Sequence, residues 1–165
     1  DDGTFEGITG NISLYSVRDV SSDHAWAQGL TFLPISTAEG TSMLVKTNST
    51  ITNSWDMLAI KFNQEVKNGV TYEVSMDIVA QDDTYVNTDW YYAFVDSTGA
   101  SNDGHAFKGY TQYNTAKLFG GEKATFSFTA SKDDSSFYMF LFDNSDRAQA
   151  NYTIDNITFK EVVTE

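Results

Sequence analysis

Thr71-Tyr72-Glu73-Val74-Ser75-Met76-Asp77-Ile78 alternates polar and apolar residues without a break. Only an extended backbone, whose successive side chains point to opposite faces, converts that pattern into one wet and one dry surface. Tyr72, Val74, Met76 and Ile78 therefore read as core, while Glu73, Ser75, Asp77 and Val79 read as facing solvent or a wet groove. Ala124 to Thr129 repeats the alternation, and Ser42 to Lys46, Asp56 to Val66 and Phe137 to Phe142 are further apolar or alternating runs. Turn-forming clusters separate them: Glu39-Gly40-Thr41, Lys67-Asn68-Gly69, Asp96-Ser97-Thr98-Gly99, Gly120-Gly121 and Lys132-Asp133-Asp134. Short strands punctuated in this way predict an all-β fold, an antiparallel β-sandwich of two sheets. Helical periodicity is weak, with Asn114 to Phe119 making one turn at most. There is no internal repeat or linker, and 165 residues can bury one sizeable core. Residues 1–165 thus read as a single module, excised from a larger multimodular protein.

Charge narrows the partners. Ten basic against 23 acidic residues give a net charge of -13. Such a surface repels phosphate backbones, so the reading is no nucleic acid; anionic lipid and acidic polysaccharides are disfavoured for the same reason. Neutral ligands and cations remain. No run of about 18 apolar residues is present, so no membrane span is expected. The absence of Cys excludes a disulfide framework, a thiol nucleophile and a Cys-ligated zinc site. Aromatics are 15% of the chain, more than a core of this size needs, so some rings are expected on the surface.

Three aromatic groups are candidates for ligand contact. Trp55 follows the polar loop Thr47 to Ser54, where a ring either flanks a groove and stacks on a flat apolar ligand face or caps the sandwich edge. In Trp90-Tyr91-Tyr92, alternation puts Trp90 and Tyr92 on one face and Tyr91 on the other; one set is core, the other is available as a platform, and the sequence does not say which. Tyr110-Thr111-Gln112-Tyr113-Asn114 mixes rings with amides and hydroxyls. That mixture suits a polyol, whose C–H faces rings cover and whose hydroxyls Gln and Asn bond, or else an ordinary edge strand. Trp26 is either a fourth platform ring or a buried anchor. A ring losing roughly 100 Å² of water contact gains about 2.5 kcal/mol. Two or three rings give roughly 5 to 8 kcal/mol, of which association takes back at least about 4. The expected affinity is micromolar to millimolar, useful when tethered to another module.

Tyr152-Thr153-Ile154-Asp155-Asn156-Ile157-Thr158-Phe159 alternates like a buried last strand yet carries a carboxylate. A charge placed there needs a partner. Glu6, in Thr4-Phe5-Glu6-Gly7, is the candidate counterpart, and calcium prefers such oxygen ligands. Spacing alone leaves Glu6 and Asp155 either as metal ligands or as two solvated acids. Catalysis is not expected: there are two His, His24 and His105, no phosphate loop and no Ser nucleophile motif. Asp82-Asp83 and Asp133-Asp134 sit in polar turns and read as solvated. The four Asn-x-Ser/Thr sites, at Asn11, Asn48, Asn151 and Asn156, are the number a Thr- and Ser-rich chain produces by chance.

In order along the chain, Phe5-Glu6-Gly7, Glu39-Gly40 to Thr47, Trp55-Asp56 to Gly69-Val70-Thr71-Tyr72, and Ile154-Asp155-Asn156-Ile157 form a set of landmarks. Their order and spacing resemble the carbohydrate-binding modules of families 4, 9, 16 and 22, jelly-roll modules appended to bacterial polysaccharidases. The resemblance implies a secreted bacterial module, a two-sheet jelly roll whose concave face holds a glycan, and no catalysis. It implies a cleft position for Trp55, with Trp90, Tyr92, Tyr110, Gln112 and Tyr113 as the other ligand candidates. It implies a structural calcium (Ca2+) held by Glu6 and Asp155 with carbonyls near Thr4 and Ser42. The implied ligand is a single chain of neutral plant polysaccharide or oligosaccharide, whether β-glucan, xyloglucan or xylan, bound by a monomer that targets an appended glycoside hydrolase. The rival reading is a structural or adhesive β-sandwich of a bacterial surface protein. Two departures stand out: Leu58 where some xylan-binding relatives carry an acid, and an almost wholly apolar Phe137 to Phe142 where some place His or Glu in the cleft.

Overall fold

The computed structural model describes residues 12–16, 30–37, 40–47, 58–80, 90–99, 106–113, 123–143 and 151–163. Ten strands run through them: β1 Ile12–Ser16, β2 Leu30–Thr37, β3 Gly40–Thr47, β4 Leu58–Phe62, β5 Thr71–Ala80, β6 Trp90–Asp96, β7 Ala106–Tyr113, β8 Ala124–Thr129, β9 Phe137–Asp143 and β10 Asn151–Glu161. They form two five-stranded sheets, in the orders β1-β4-β9-β6-β7 and β2-β3-β10-β5-β8. Every strand pair is antiparallel. The architecture is the antiparallel β-sandwich that the alternation implies, and no helix occurs among the described residues.

Alternation decides the core. Tyr72, Val74, Met76 and Ile78 of β5 are buried, as are Ala124, Phe126 and Phe128 of β8. Their neighbours Thr125, Ser127 and Thr129 are exposed. These inward residues meet Leu58, Ile60, Phe62, Tyr92, Phe94, Phe137, Met139 and Leu141 of the other sheet in one cluster. Phe62 stacks on Phe137 with centroids 4.7 Å apart, and Phe94 on Phe128 at 4.2 Å. Aromatic pairs at such separations contribute about 0.5–1.5 kcal/mol beyond their burial. The Phe62–Phe137 stack lies within one sheet, and the Phe94–Phe128 stack spans the gap between the two. Among the described residues, no Phe, Tyr or Trp is fully exposed; the exposed large apolar side chains are Val79 and Val163.

Local chemistry fixes the turns. At Lys67-Asn68-Gly69, Val70 N–H donates to the Lys67 carbonyl at 3.1 Å and Gly69 takes a φ of 82°. A positive φ at the third turn position alone is type II geometry, which favours Gly there. The apolar run Asp56 to Val66 does not stay a strand: β4 ends at Phe62, the polar Asn63-Gln64-Glu65 intervenes, and Val66 makes an isolated bridge to Asp134. At the end of β6, the Asp96 side chain is fully buried. Its Oδ1 accepts from Thr98 N–H at 3.0 Å and from the Thr98 hydroxyl, and its Oδ2 is ion-paired to Lys132. Asp134 continues the network, accepting from Ser97 N–H at 3.0 Å and Ser135 N–H at 2.8 Å.

A buried carboxylate held this way is costly to disturb, because each donor it leaves behind loses its partner. Asp96→Ala is expected to lower unfolding free energy by about 3 kcal/mol in a denaturant titration. The ion pair with Asp96 raises the Lys132 pKa above its ordinary 10.5. Its stabilising contribution is therefore complete below pH 10.5 and lost as pH climbs through the raised value. A plot of melting temperature against pH should fall on that alkaline limb, less steeply in Lys132→Met; an identical slope in the variant would show that the pair does not govern it.

Candidate functional site

The sheet β1-β4-β9-β6-β7 has an outer face whose centre is apolar. Register places Ser13, Lys61, Tyr138 and Val95 in one row across β1, β4, β9 and β6. Tyr15, Ala59, Phe140 and Ala93 form the next row. Tyr91 and Gln112 face each other across β6 and β7. Ala59, Ala93, Val95, Tyr138 and Phe140 make a second buried cluster, with Tyr15 and Tyr91 packed on it half-buried. The middle of this face is closed to solvent: Phe140 is 0% exposed and Tyr138 8%.

Access lies at its margins. Tyr15 stands edge-on to Tyr138 at 6.4 Å and 61°. Lys61 places its Nζ over the Tyr138 ring, 5.9 Å from the centroid. Burial, and next the neighbouring Tyr15 phenol, push the Tyr138 hydroxyl above its ordinary pKa of 10.0. Its phenol therefore stays neutral, a donor as well as an acceptor, throughout the physiological range. Gln112 is exposed beside half-buried Tyr91, which puts an amide next to a ring on the outward side of the sheet. Rings with adjacent amides and hydroxyls can cover the C–H faces of a sugar and bond its hydroxyls.

The six expected ligand residues divide. Trp55 lies outside the described residues. Trp90 opens β6 opposite Tyr113 and Asp143, and Tyr110 lies within β7; their side chains are outside the description. Gln112 sits on the outer face as just described. Tyr92 is corrected: it is 6% exposed and turned into the inter-sheet core, 5.0 Å from the Phe126 ring. Its parity is that of Phe94, so Tyr91, not Tyr92, is the outward ring of the pair. Tyr113 is corrected too. Its ring packs 4.5 Å from Phe126, and its hydroxyl accepts from Thr125 N–H at 3.0 Å. That bond latches β7, the edge of one sheet, to β8, the edge of the other. Tyr15, Lys61 and Tyr138 escaped the sequence reading. Tyr138 sits in a run where both parities are apolar, so alternation carries no signal for which ring points out.

The expected metal ligands lie on the opposite sheet. Glu6 and Thr4 are outside the described residues. Asp155 is half-buried on the outer face of β10 and pairs directly with Asp77 of β5. The pairing of β10 with β3 runs from Asn151↔Lys46 to Ile154↔Met43. The ladder then bulges between Asp155 and Thr158, where Asn156 takes a φ of 51°. Asn156 N–H donates to Asp155 Oδ1 at 2.8 Å, and its Nδ2 donates to Asp77 Oδ2 at 2.7 Å. Like charges directly opposite across a strand pair repel, and the bulged amide offsets part of that repulsion. Among the described residues, no group of three or more His, Asp or Glu is placed to hold a metal ion.

No protein-family model matches this chain, and no curated protein does. Solved structures do. The CBM22-1 xylan-binding domain of Xyn10C from Paenibacillus barcinonensis is similar at a TM-score of 0.51 and 15% identity, over 99% of this chain and 93% of that one. The N-terminal cellulose-binding domain of β-1,4-glucanase C from Cellulomonas fimi matches at 0.50 and 14%, over 100% and 97%. An arabinose-bound GH51 α-L-arabinofuranosidase matches at 0.63 and 9% over 99% of this chain, which spans 26% of that enzyme's chain. At these identities the likeness is one of fold: the chain has the β-sandwich fold found in carbohydrate-binding modules of families 4 and 22.

Proposed function

We propose that this chain is a non-catalytic carbohydrate-binding module, secreted by a bacterium, that brings an appended glycoside hydrolase to its substrate. The observation that carries this reading is the outer face of β1-β4-β9-β6-β7, where Tyr15, Tyr91 and Gln112 remain accessible around a closed apolar floor. The fold shared with a xylan-binding and a cellulose-binding domain, over nearly the whole length of each, supports it. The ligand proposed is a single chain of neutral plant polysaccharide, of the β-glucan, xyloglucan or xylan class. Trp55 and Tyr110 remain proposed ligand residues beside Gln112, and Tyr91 joins them; Trp90 has the strand parity of Tyr92, not of Tyr91, and is not proposed for this face.

The closed floor favours one rival specifically. A face whose central residues are sealed also suits a structural or adhesive sandwich that presents no sugar site. Affinity electrophoresis in β-glucan, xyloglucan and xylan separates the two. Wild type should be retarded by at least one, and Tyr91→Ala or Trp55→Ala should weaken binding by up to roughly 70-fold, the loss of one ring contact of about 2.5 kcal/mol. Mobility unchanged in all three gels would favour the structural sandwich.

Calcium is proposed as a structural ion, held by Glu6 and Asp155 with backbone carbonyls at Thr4 and Ser42. The direct pairing of the Asp155 and Asp77 carboxylates across β10 and β5 supports it, since calcium takes such oxygen ligands. The ion would tie the last strand to the chain's beginning and relieve the Asp155–Asp77 repulsion; it does no chemistry. Chelation is expected to lower the melting temperature by about 5–10 °C, with recovery on adding calcium. Asp155→Ala should melt at the same temperature with and without chelator. A wild-type melt indifferent to chelator would remove the ion.

A further inference from the structure

Lys61 is the one charged side chain that the described residues turn outward from the β1-β4-β9-β6-β7 sheet. The chain has 23 acidic residues, and several described cations hold one: Lys67 pairs with Glu65, Lys132 with Asp96 and Lys160 with Glu73. Lys61 has no such pairing among the described residues. Its ammonium instead sits over the Tyr138 ring, with Ser13 opposite on β1 and Tyr15 one step along that strand. It is half-buried at the margin of an apolar floor. A ring face attracts the charge but satisfies none of its three N–H donors.

We infer that Lys61 reads a carboxylate, and that the glycan taken by this face is a β-linked main chain bearing uronic-acid substituents. The inference rests on the carbohydrate-binding reading and departs from the expected neutral ligand in one respect: the backbone is neutral but the side group is acidic. The carboxylate meets the Lys61 ammonium and the Ser13 hydroxyl, while the sugar's C–H face lies against Tyr15. The net charge of -13 does not oppose this at close range. Repulsion between exposed charges is screened beyond about 8 Å at physiological salt, whereas a charge-assisted hydrogen bond acts in contact. The acids Glu73, Asp77 and Asp155 also lie on the outer face of the other sheet, across the full thickness of the sandwich.

The test is calorimetric titration with a β-1,4-xylo-oligosaccharide carrying one glucuronic acid, against the same oligosaccharide after its carboxyl is reduced to an alcohol. Shape is nearly preserved between them and charge is not. Wild type should bind the acid form about five- to tenfold more tightly, the range for a charge-assisted bond at a partly exposed site. Lys61→Gln should bind both forms equally, at the affinity wild type shows for the reduced form. Lys61→Arg should restore the preference, which excludes a folding defect as the cause. Equal binding of both forms by wild type, or a preference that survives in Lys61→Gln, would overturn the carboxylate subsite while leaving glycan binding intact. Binding of neither form, together with unretarded migration in all three polysaccharide gels, would overturn both.

Discussion

The two-sided burial of β9 is the constraint on which the rest of the sandwich depends. This strand lies at the centre of its sheet, between β4 and β6. Phe137, Met139 and Leu141 enter the inter-sheet core, and Tyr138 and Phe140 enter the outer cluster. A strand apolar on both faces cannot sit at an edge, where large rings would be carried into water. Its neighbours conform to it. Phe62 stacks on Phe137 from β4, Phe94 approaches the same ring from β6, and Ala59 and Ala93 flank Phe140 on either side. Small residues on both sides leave room for one large ring, which is how a close-packed interior accommodates it without a void. The floor of the candidate site is thus a by-product of how the sheet is held together.

That same strand marks where the sequence was legible and where it was not. The alternation of β5 and β8 specified both their strand character and their inward faces, because one parity is polar and the other apolar. In Phe137 to Phe142 both parities are apolar, so strand character was evident but facing was not. Trp90-Tyr91-Tyr92 posed the same ambiguity, and it was resolved by tertiary packing: Tyr92 shares Phe94's parity and joins Phe126 across the sandwich. Tyr113 looked like a ligand ring because it sits among amides, yet its hydroxyl closes the β7–β8 edge. Such an edge-to-edge bond joins residues of different sheets, and no local pattern announces it. Among the described residues, stacked pairs let the two sheets share much aromatic volume, while Tyr15 and Tyr91 stay partly exposed on an outer face.

The other sheet solves a different problem. β10 runs between β3 and β5 and must carry Asp155 directly against Asp77. The bulge at Asn156 inserts one extra outward residue, after which Ile157 and Phe159 return to the core and Thr158 and Lys160 face out. Asn tolerates the left-handed backbone that the bulge requires better than most residues do. Its amide then bonds both carboxylates, through main chain to one and side chain to the other. The bulge therefore sets strand facing and charge compensation in one step. It also explains why the alternation from Tyr152 to Phe159 is imperfect at Asp155-Asn156, the point where the sequence seemed only to bury an acid.

The interior's use of rings limits how this protein can bind anything. Among the described residues, the outer face leaves Tyr15 and Tyr91 half-buried and Tyr138 nearly closed. Two partly available rings supply at most about 5 kcal/mol by area, and association alone takes back about 4 or more. Stacking on these two rings leaves almost no margin by itself, so polar contacts must carry a large share of any affinity and nearly all of the selectivity. The polar groups at the margins are Gln112 on one side of the floor and Ser13 and Lys61 on the other. A neutral amide and a hydroxyl discriminate weakly among sugars that all present hydroxyls. An ammonium over a tyrosine ring discriminates by charge, which separates chains bearing uronic acids from uncharged chains with the same backbone. In the proposed carboxylate subsite, selectivity turns on Lys61 more than on the aromatic residues around it.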